Sequence, residues 1–321
     1  MQVLVGRPRN AVAILLLTVI LGALSAMLPA ASAAEGQADK IVVIMVDGLR
    51  PDALKHAKVP AIEGLIKRGA STMKAQTVTP SLTLPAFASV LTGLTVEQHG
   101  VNWNEYDPAR GYLKAPTFFE IASFADGKWG GVYLNKEKLL HVAKPDRRLI
   151  INLCSQNDPT CRSQRIVNEV VTGYKTATEG KPSLFMVHFA DVDTAGHDKG
   201  WMSKPYLRAV EDIDRAIASL IKGFQELGLY DRTVFLITAD HGGHDLTHGT
   251  NSPEDMTIPW IAAGPGIKRG YEIKRAVSLI DTAATVLRAV GTTDYYVEWT
   301  SKSVDEIFET GPASSAPAGK P

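Results

Sequence analysis

The sequence predicts an α/β protein built on a mainly parallel sheet, and three observations carry that expectation. Short apolar runs alternate with longer amphipathic segments, the pattern of strands joined by helices. Three of those runs, 41–46 (IVVIMV), 184–189 (LFMVHF) and 233–238 (TVFLIT), are nearly continuous rather than alternating, as expected of strands covered on both faces. Segment 203–227 sets Leu207, Val210, Ile213, Ile217, Leu220, Ile221 and Phe224 on one face at helical spacing.

Taken in order, the run at 41–46 reads as a central strand, followed by Asp47-Gly48-Leu49-Arg50-Pro51, a turn toward a helix. Thr83 stands just before a second helix, with Pro85 in its first turn, where a missing N–H does no harm. Thr83 on its own reads equally as an N-cap. Between 111 and 180 the pattern is weak, and a small insertion or cap is expected there. The acidic residues of the 203–227 helix, among them Glu211, Asp212 and Asp214, read as solvated surface. A further helix is expected over 277–290, ended by Gly291.

The ends read differently from the middle. Arg7 and Arg9, an apolar run over 11–24 and the small residues Ala31-Ser32-Ala33 have the form of a signal peptide over 1–33. The rival reading, a membrane anchor, is disfavoured because that run is shorter than the ~20 residues of a span. The expected product is a folded domain over 34–311, exported to the periplasm or secreted, without stable membrane insertion after cleavage. Residues 312–321, rich in Pro, Ala, Ser and Gly, are expected to be a disordered tail. Cys154 and Cys161 are the two cysteines of the chain. They would close a local disulfide in an oxidising compartment, or stay free thiols elsewhere. Lys plus Arg equals Asp plus Glu among the 321 residues, so no basic field exists to hold a nucleic acid backbone. Nothing in the composition sets an oligomeric state.

The chemistry gathers where the strands end. Asp47 follows the first run, Asp191 and Asp193 the second, and Asp240 the third. Ligands in open α/β sheets bind beyond the carboxyl ends of strands, and three acids on one rim repel unless cations join them. His197 comes four residues after Asp193; His241, His244 and His248 follow Asp240 closely. Mixed carboxylate and imidazole ligands suit zinc, or a neighbouring transition metal, better than calcium. The helix that begins near Thr83 favours an anion at its N-terminus, an alkoxide or a phosphate. Phe87, Trp103 and Tyr106 could wall a pocket or belong to the core.

Together these segments resemble the alkaline phosphatase superfamily and, within it, the type I phosphodiesterase/nucleotide pyrophosphatase branch. The resemblance runs from about 41 to 308 through Val46-Asp47-Gly48, Thr83-Leu84-Pro85, Leu91-Thr92-Gly93, His99-Gly100 and Asn104-Glu105-Tyr106-Asp107-Pro108. It continues through Asp193-x-x-Gly196-His197, Asp240-His241-Gly242, His248-Gly249, Ile258-Pro259 and Gly264-Pro265-Gly266. It implies an alkaline-phosphatase-like fold, a central mostly parallel sheet with helices on both faces. It also implies two divalent ions, zinc first and manganese second. Asp193, His197 and His248 would hold one; Asp47, Asp240, His241 and the Thr83 oxygen would hold the other. Thr83 would be the nucleophile toward a small-molecule phosphate ester, through a phosphothreonine. One departure is Ala86, where the branch commonly carries an asparagine whose amide can hold a phosphate oxygen; Asn104 or His244 could supply that contact. The alternatives are a phosphomonoesterase or phosphonate hydrolase of the same fold and, in a different class, a catalytically silent metal-binding protein.

Overall fold

The sheet takes eight strands from across the chain. These are β1 (Lys40–Val46), β2 (Gly69–Gln76), β3 (Trp129–Leu134), β4 (Leu149–Leu153), β5 (Pro182–Phe189), β6 (Thr233–Thr238), β7 (Thr257–Ala263) and β8 (Tyr271–Glu272). The structure, a computed structural model, describes residues 38–155, 158–292 and 300–309. The expected signal peptide and tail therefore lie outside the described residues. Strand order is β4-β3-β5-β1-β6-β7-β2-β8. Neighbours run parallel except at β7, which is antiparallel to both β6 and β2.

The helices are α1 (Pro60–Arg68), α2 (Thr83–Thr92), α3 (Val96–His99), α4 (Phe118–Asp126), α5 (Ser163–Thr176), α6 (Asp191–Lys199), α7 (Lys204–Glu226), α8 (Pro253–Met256) and α9 (Asp281–Ala289). They form two layers: α7 packs with α1, α5 and α6, and α9 packs with α2 and α4. The three apolar runs become β1, β5 and β6, and every residue of β1 and β6 is buried. These strands are adjacent and parallel, with β1 in the centre. Their carboxyl ends therefore open on one rim, which brings together acids that are far apart in sequence.

Three local readings change. The stretch 111–180, expected to hold a small insertion or cap, instead supplies α4, β3, β4 and α5, and β3 pairs directly with β5. Its pattern is weak because β4 is only half-buried at the sheet edge and β3 contains Gly130, where a Cβ would fall 2.4 Å from the Phe119 ring. The helix expected over 277–290 is shorter. Val277 and Leu279 are buried while their backbones pair with Gln76, and the helix begins at Asp281. Asp214 is not solvated surface: it is 2% exposed and accepts from the N–H groups of Ala61 and Ile62. It thereby satisfies donors left free in the first turn of α1.

Helix α7 otherwise follows its pattern, with Ser203 accepting from the Tyr206 N–H as its N-cap. Cys154 and Cys161 are joined as a disulfide. Among the described residues no helix is long and apolar enough to cross a membrane.

Candidate metal centre

Two groups that could hold a metal ion form on the rim. Asp193, His197 and His248 make one, and Asp47, Asp240 and His241 make the other; within each, the candidate ligand atoms lie within 4.8 Å of one another. Asp193 and His197 are one turn apart on α6, so both side chains leave the same face. His248 arrives from the loop between β6 and α8. The rings of His241 and His248 stack with centroids 3.6 Å apart, which puts the two groups in contact.

The imidazoles are oriented by the backbone. His241 Nδ1 is 2.8 Å from the Gly242 carbonyl, His197 Nδ1 is 2.9 Å from that of Leu246, and His248 Nδ1 is 2.9 Å from that of Ser81. A carbonyl can only accept, so Nδ1 carries the proton and Nε2 is left with its lone pair. Those Nε2 atoms face carboxylates: His197 and His248 stand 3.4 and 3.7 Å from Asp193 Oδ1, and His241 stands 3.5 Å from Asp47 Oδ1. Lone pair against carboxylate is repulsive unless something positive lies between.

The carboxylates give the same indication from their own side. Asp47 Oδ1, Asp193 Oδ1 and Asp240 Oδ2 are buried and have no hydrogen-bond partner, an unfavourable arrangement for bare oxygens. Their other oxygens are well held. Asp240 Oδ1 accepts from the N–H groups of Gly48 and His241, while Asp47 Oδ2 and Asp193 Oδ2 accept from Lys136 Nζ at 2.7 and 2.6 Å. Burial opposes ionisation of Asp47, yet Lys136 and His188 hold it well below the usual carboxylate range. Burial and the neighbouring Asp47 push Asp240 well above that range. One lysine cannot offset three buried acids, and divalent cations would. Burial lowers His241, and it lowers His248 to about 4, keeping both neutral as ligands must be. The neighbouring Asp193 carboxylate raises His197 instead, so there a proton competes with a metal.

Thr83 is the first residue of α2 rather than its cap. It is fully buried, and its Oγ1 lies 3.4 Å from His241 Nε2. Asn104 Oδ1 accepts from the Leu84 N–H at 3.0 Å and from Lys138 Nζ at 2.9 Å. A cleft of about 570 Å³, lined by Asn104, Tyr106, Lys136, Lys138, Asp193 and His197 among others, opens over this place. Ala86 is fully buried in the core and lines no part of that cleft. Asn104, by contrast, lines it. His244 does not join them: its Nδ1 is 2.7 Å from Asp255 Oδ1, and it ties its loop down away from the cleft. Phe87 is core, packed edge-on against His188, whereas Tyr106 is exposed on the cleft.

The sequence reading missed His188, Lys136 and Trp201. His188 is buried between Asn135 and Asp47, with Nε2 2.9 Å from Asp47 Oδ2. A histidine inside the apolar run at 184–189 was the available signal. Lys136 follows β3 as Asp47 follows β1, so the rule about strand ends would have found it had β3 been legible. Trp201 donates to the Gly48 carbonyl and explains two glycines, Gly196 of the Asp193-x-x-Gly196-His197 motif and Gly243, which follows Asp240-His241-Gly242. A Cβ on Gly196 or Gly243 would fall 2.6 or 2.2 Å from its indole. Only bare backbone lets the ring wedge between α6 and the loop after β6.

The profile of the type I phosphodiesterase / nucleotide pyrophosphatase family matches residues 41–131 and 133–258. The chain belongs to this family. Bovine (Bos taurus) bis(5'-adenosyl)-triphosphatase is 24% identical over 224 residues, which is 63% of this chain and 47% of that protein. GPI ethanolamine phosphate transferase 1 of Chaetomium globosum is 33% identical over 87 residues, 27% of this chain and 9% of that one. The chain spans less than half the length of the curated relatives it matches. In fold it is similar to an inactive variant of murine ectonucleotide pyrophosphatase/phosphodiesterase 5 in complex with AMP. That match has a TM-score of 0.70 at 16% identity and covers 84% of this chain and all of the other.

Proposed function

We propose that this protein is a two-metal hydrolase of phosphate esters, of the phosphodiesterase/nucleotide pyrophosphatase type, with Thr83 as nucleophile. One observation carries the reading: three imidazoles locked by backbone carbonyls present Nε2 lone pairs toward carboxylate oxygens that have no other partner. Asp193, His197 and His248 would hold one divalent ion; Asp47, Asp240, His241 and Thr83 Oγ1 would hold the other. Bound there, such ions supply Lewis acidity, favouring an ionised hydroxyl and offsetting charge on the phosphoryl oxygens. Zinc suits the mixed nitrogen and oxygen donors, with manganese as second choice.

The chain's own part follows from placement. Thr83 Oγ1 attacks phosphorus, the bond to the leaving oxygen breaks, and a phosphothreonine forms. Water then breaks the phosphorus–oxygen bond to Thr83 and returns the hydroxyl. Asn104 faces the cleft beside Leu84 and would hold a phosphoryl oxygen. The fold neighbour that holds AMP makes nucleotide esters the first substrates to try. Export is part of the same reading, because the Cys154–Cys161 disulfide belongs to an oxidising compartment.

The test compares wild type and Thr83→Ala on an aryl phosphate diester and the matching monoester, with zinc supplied. Turnover should fall about 10⁴-fold or more, with metal content unchanged. Substantial activity in the variant removes Thr83 from the mechanism. Two bound metals with no turnover of either ester would return the silent binding protein.

A further inference from the structure

Two lysines reach the rim from the loop after β3, and they are in different circumstances. Lys136 Nζ is neutralised by Asp47 and Asp193. Lys138 Nζ, two residues along, makes no ion pair among the described residues; its partner is the neutral Asn104 Oδ1 at 2.9 Å. That oxygen also accepts from the Leu84 N–H, in the first turn of the ten-residue helix that carries Thr83. An ammonium without a direct ion pair thus sits beside the positive end of α2, on the wall of a cleft whose carboxylates stand farther off. Two like-signed groups placed together are unfavourable unless an anion comes between or beside them. Burial first, and then Lys136, push Lys138 below the ordinary lysine value, against the opposite pull of the rim carboxylates Asp47, Asp193 and Asp240. With Asn104 Oδ1 occupied twice, its amide N–H groups are what it has left for a ligand, so both side chains offer donors to the same space.

We propose that Lys138 is a substrate-binding residue that receives a non-bridging oxygen of the phosphoryl group attacked by Thr83, and that it favours phosphoryl groups bearing two negative charges. The inference rests on the hydrolase reading and deepens it to a substrate class. An amide serves a singly and a doubly charged phosphoryl group nearly alike, whereas a full charge gains most from the second negative charge. The site is accordingly suited to a phosphate monoester, or to the terminal phosphate of a longer ester, more than its family name suggests.

The experiment uses the full chain with zinc supplied, as wild type, Lys138→Met and Lys138→Arg. It reads kcat/KM for an aryl phosphate monoester and the matching diester, and calorimetric binding of inorganic phosphate. In Lys138→Met the monoester value should fall on the order of 100-fold and the diester value clearly less. Phosphate should bind roughly tenfold more weakly or worse, with both metals retained. Lys138→Arg, which keeps the charge, should recover most of both losses. Unchanged phosphate affinity, or equal losses on the two esters, would overturn the proposal while leaving the hydrolase reading intact. If wild type turns over neither ester, that reading fails by itself, and the phosphate titration still decides whether Lys138 holds the anion.

Discussion

The two ligand groups on the rim share a chemistry and differ in how they are held. Asp47, Asp240 and His241 are fully buried and sit directly on the ends of β1 and β6, with backbone N–H groups gripping Asp240. Asp193, His197 and His248 come from a helix and a loop, and the His197 side chain is 43% exposed. The inner group is preset by strands that cannot move without breaking the sheet. The outer group depends on contacts of the loop that carries Leu246 and His248. An ion at the inner group should be retained strongly, and one at the outer group should exchange with solvent.

The largest effect expected of that difference is at Asp240. Asp240→Asn should empty the inner group and lower turnover by more than the ~100-fold typical of losing a supporting residue. The chelated protein should be no less stable, since one buried acid leaves a crowded set. Metal analysis beside thermal unfolding with and without chelator checks both halves; an intact inner ion would end the distinction. His197→Gln should act more mildly, weakening one ion by a factor of ~10–100 while the other stays. In wild type a chelator should remove metal in two phases, and a single phase would break the comparison.

Next comes the ring between α6 and the loop after β6. Gly243→Ala pushes a methyl into the Trp201 indole and should destabilise the fold by about 1–3 kcal/mol. Because Trp201 also holds the Gly48 carbonyl, metal affinity should fall at both groups together. Loss at one group alone would show that the ring does not couple them.

The smallest effect lies outside both groups, on the helix that carries Thr83. Ser89 Oγ is 2.9 Å from His99 Nε2, and burial pushes the His99 imidazole down to about 4. The folded state therefore resists a proton that the unfolded chain accepts near 6.5. His99 contributes no pH dependence above that value, lowers stability as pH falls from there toward 4, and adds no further loss below. Denaturant midpoints across that window should fall in wild type and flatten in His99→Gln; equal slopes would remove His99 as the cause.

Much of this arrangement was legible in the residue order. Continuous apolar runs mean strands buried on both faces, so β1, β5 and β6 could be read directly, and the acids at their ends followed. Asp193 and His197 stood out by their spacing just after an apolar run, although that stretch reads as a polar loop; the structure makes it one turn of α6. Elements at the sheet edge were not legible. β3 and β4 break their apolar pattern with Gly130, Gly131 and half-exposed positions, so Lys136 and Lys138 went unread along with the strand that delivers them.

What the sequence determined by itself was the local chemistry: which strands are central, which acids and imidazoles follow them, and which threonine opens a helix. These depend on periodicity and near neighbours in the chain. Only the tertiary structure decided which groups meet. It turned Asp214 inward, sent His244 to Asp255 and Ala86 into the core, and left Lys138 with an amide where Lys136 has two carboxylates. Strand order and helix packing set those encounters, and several join distant residues, Asp214 to Ala61 across 153 positions and Lys136 to Asp193 across 57, beyond the reach of any local pattern.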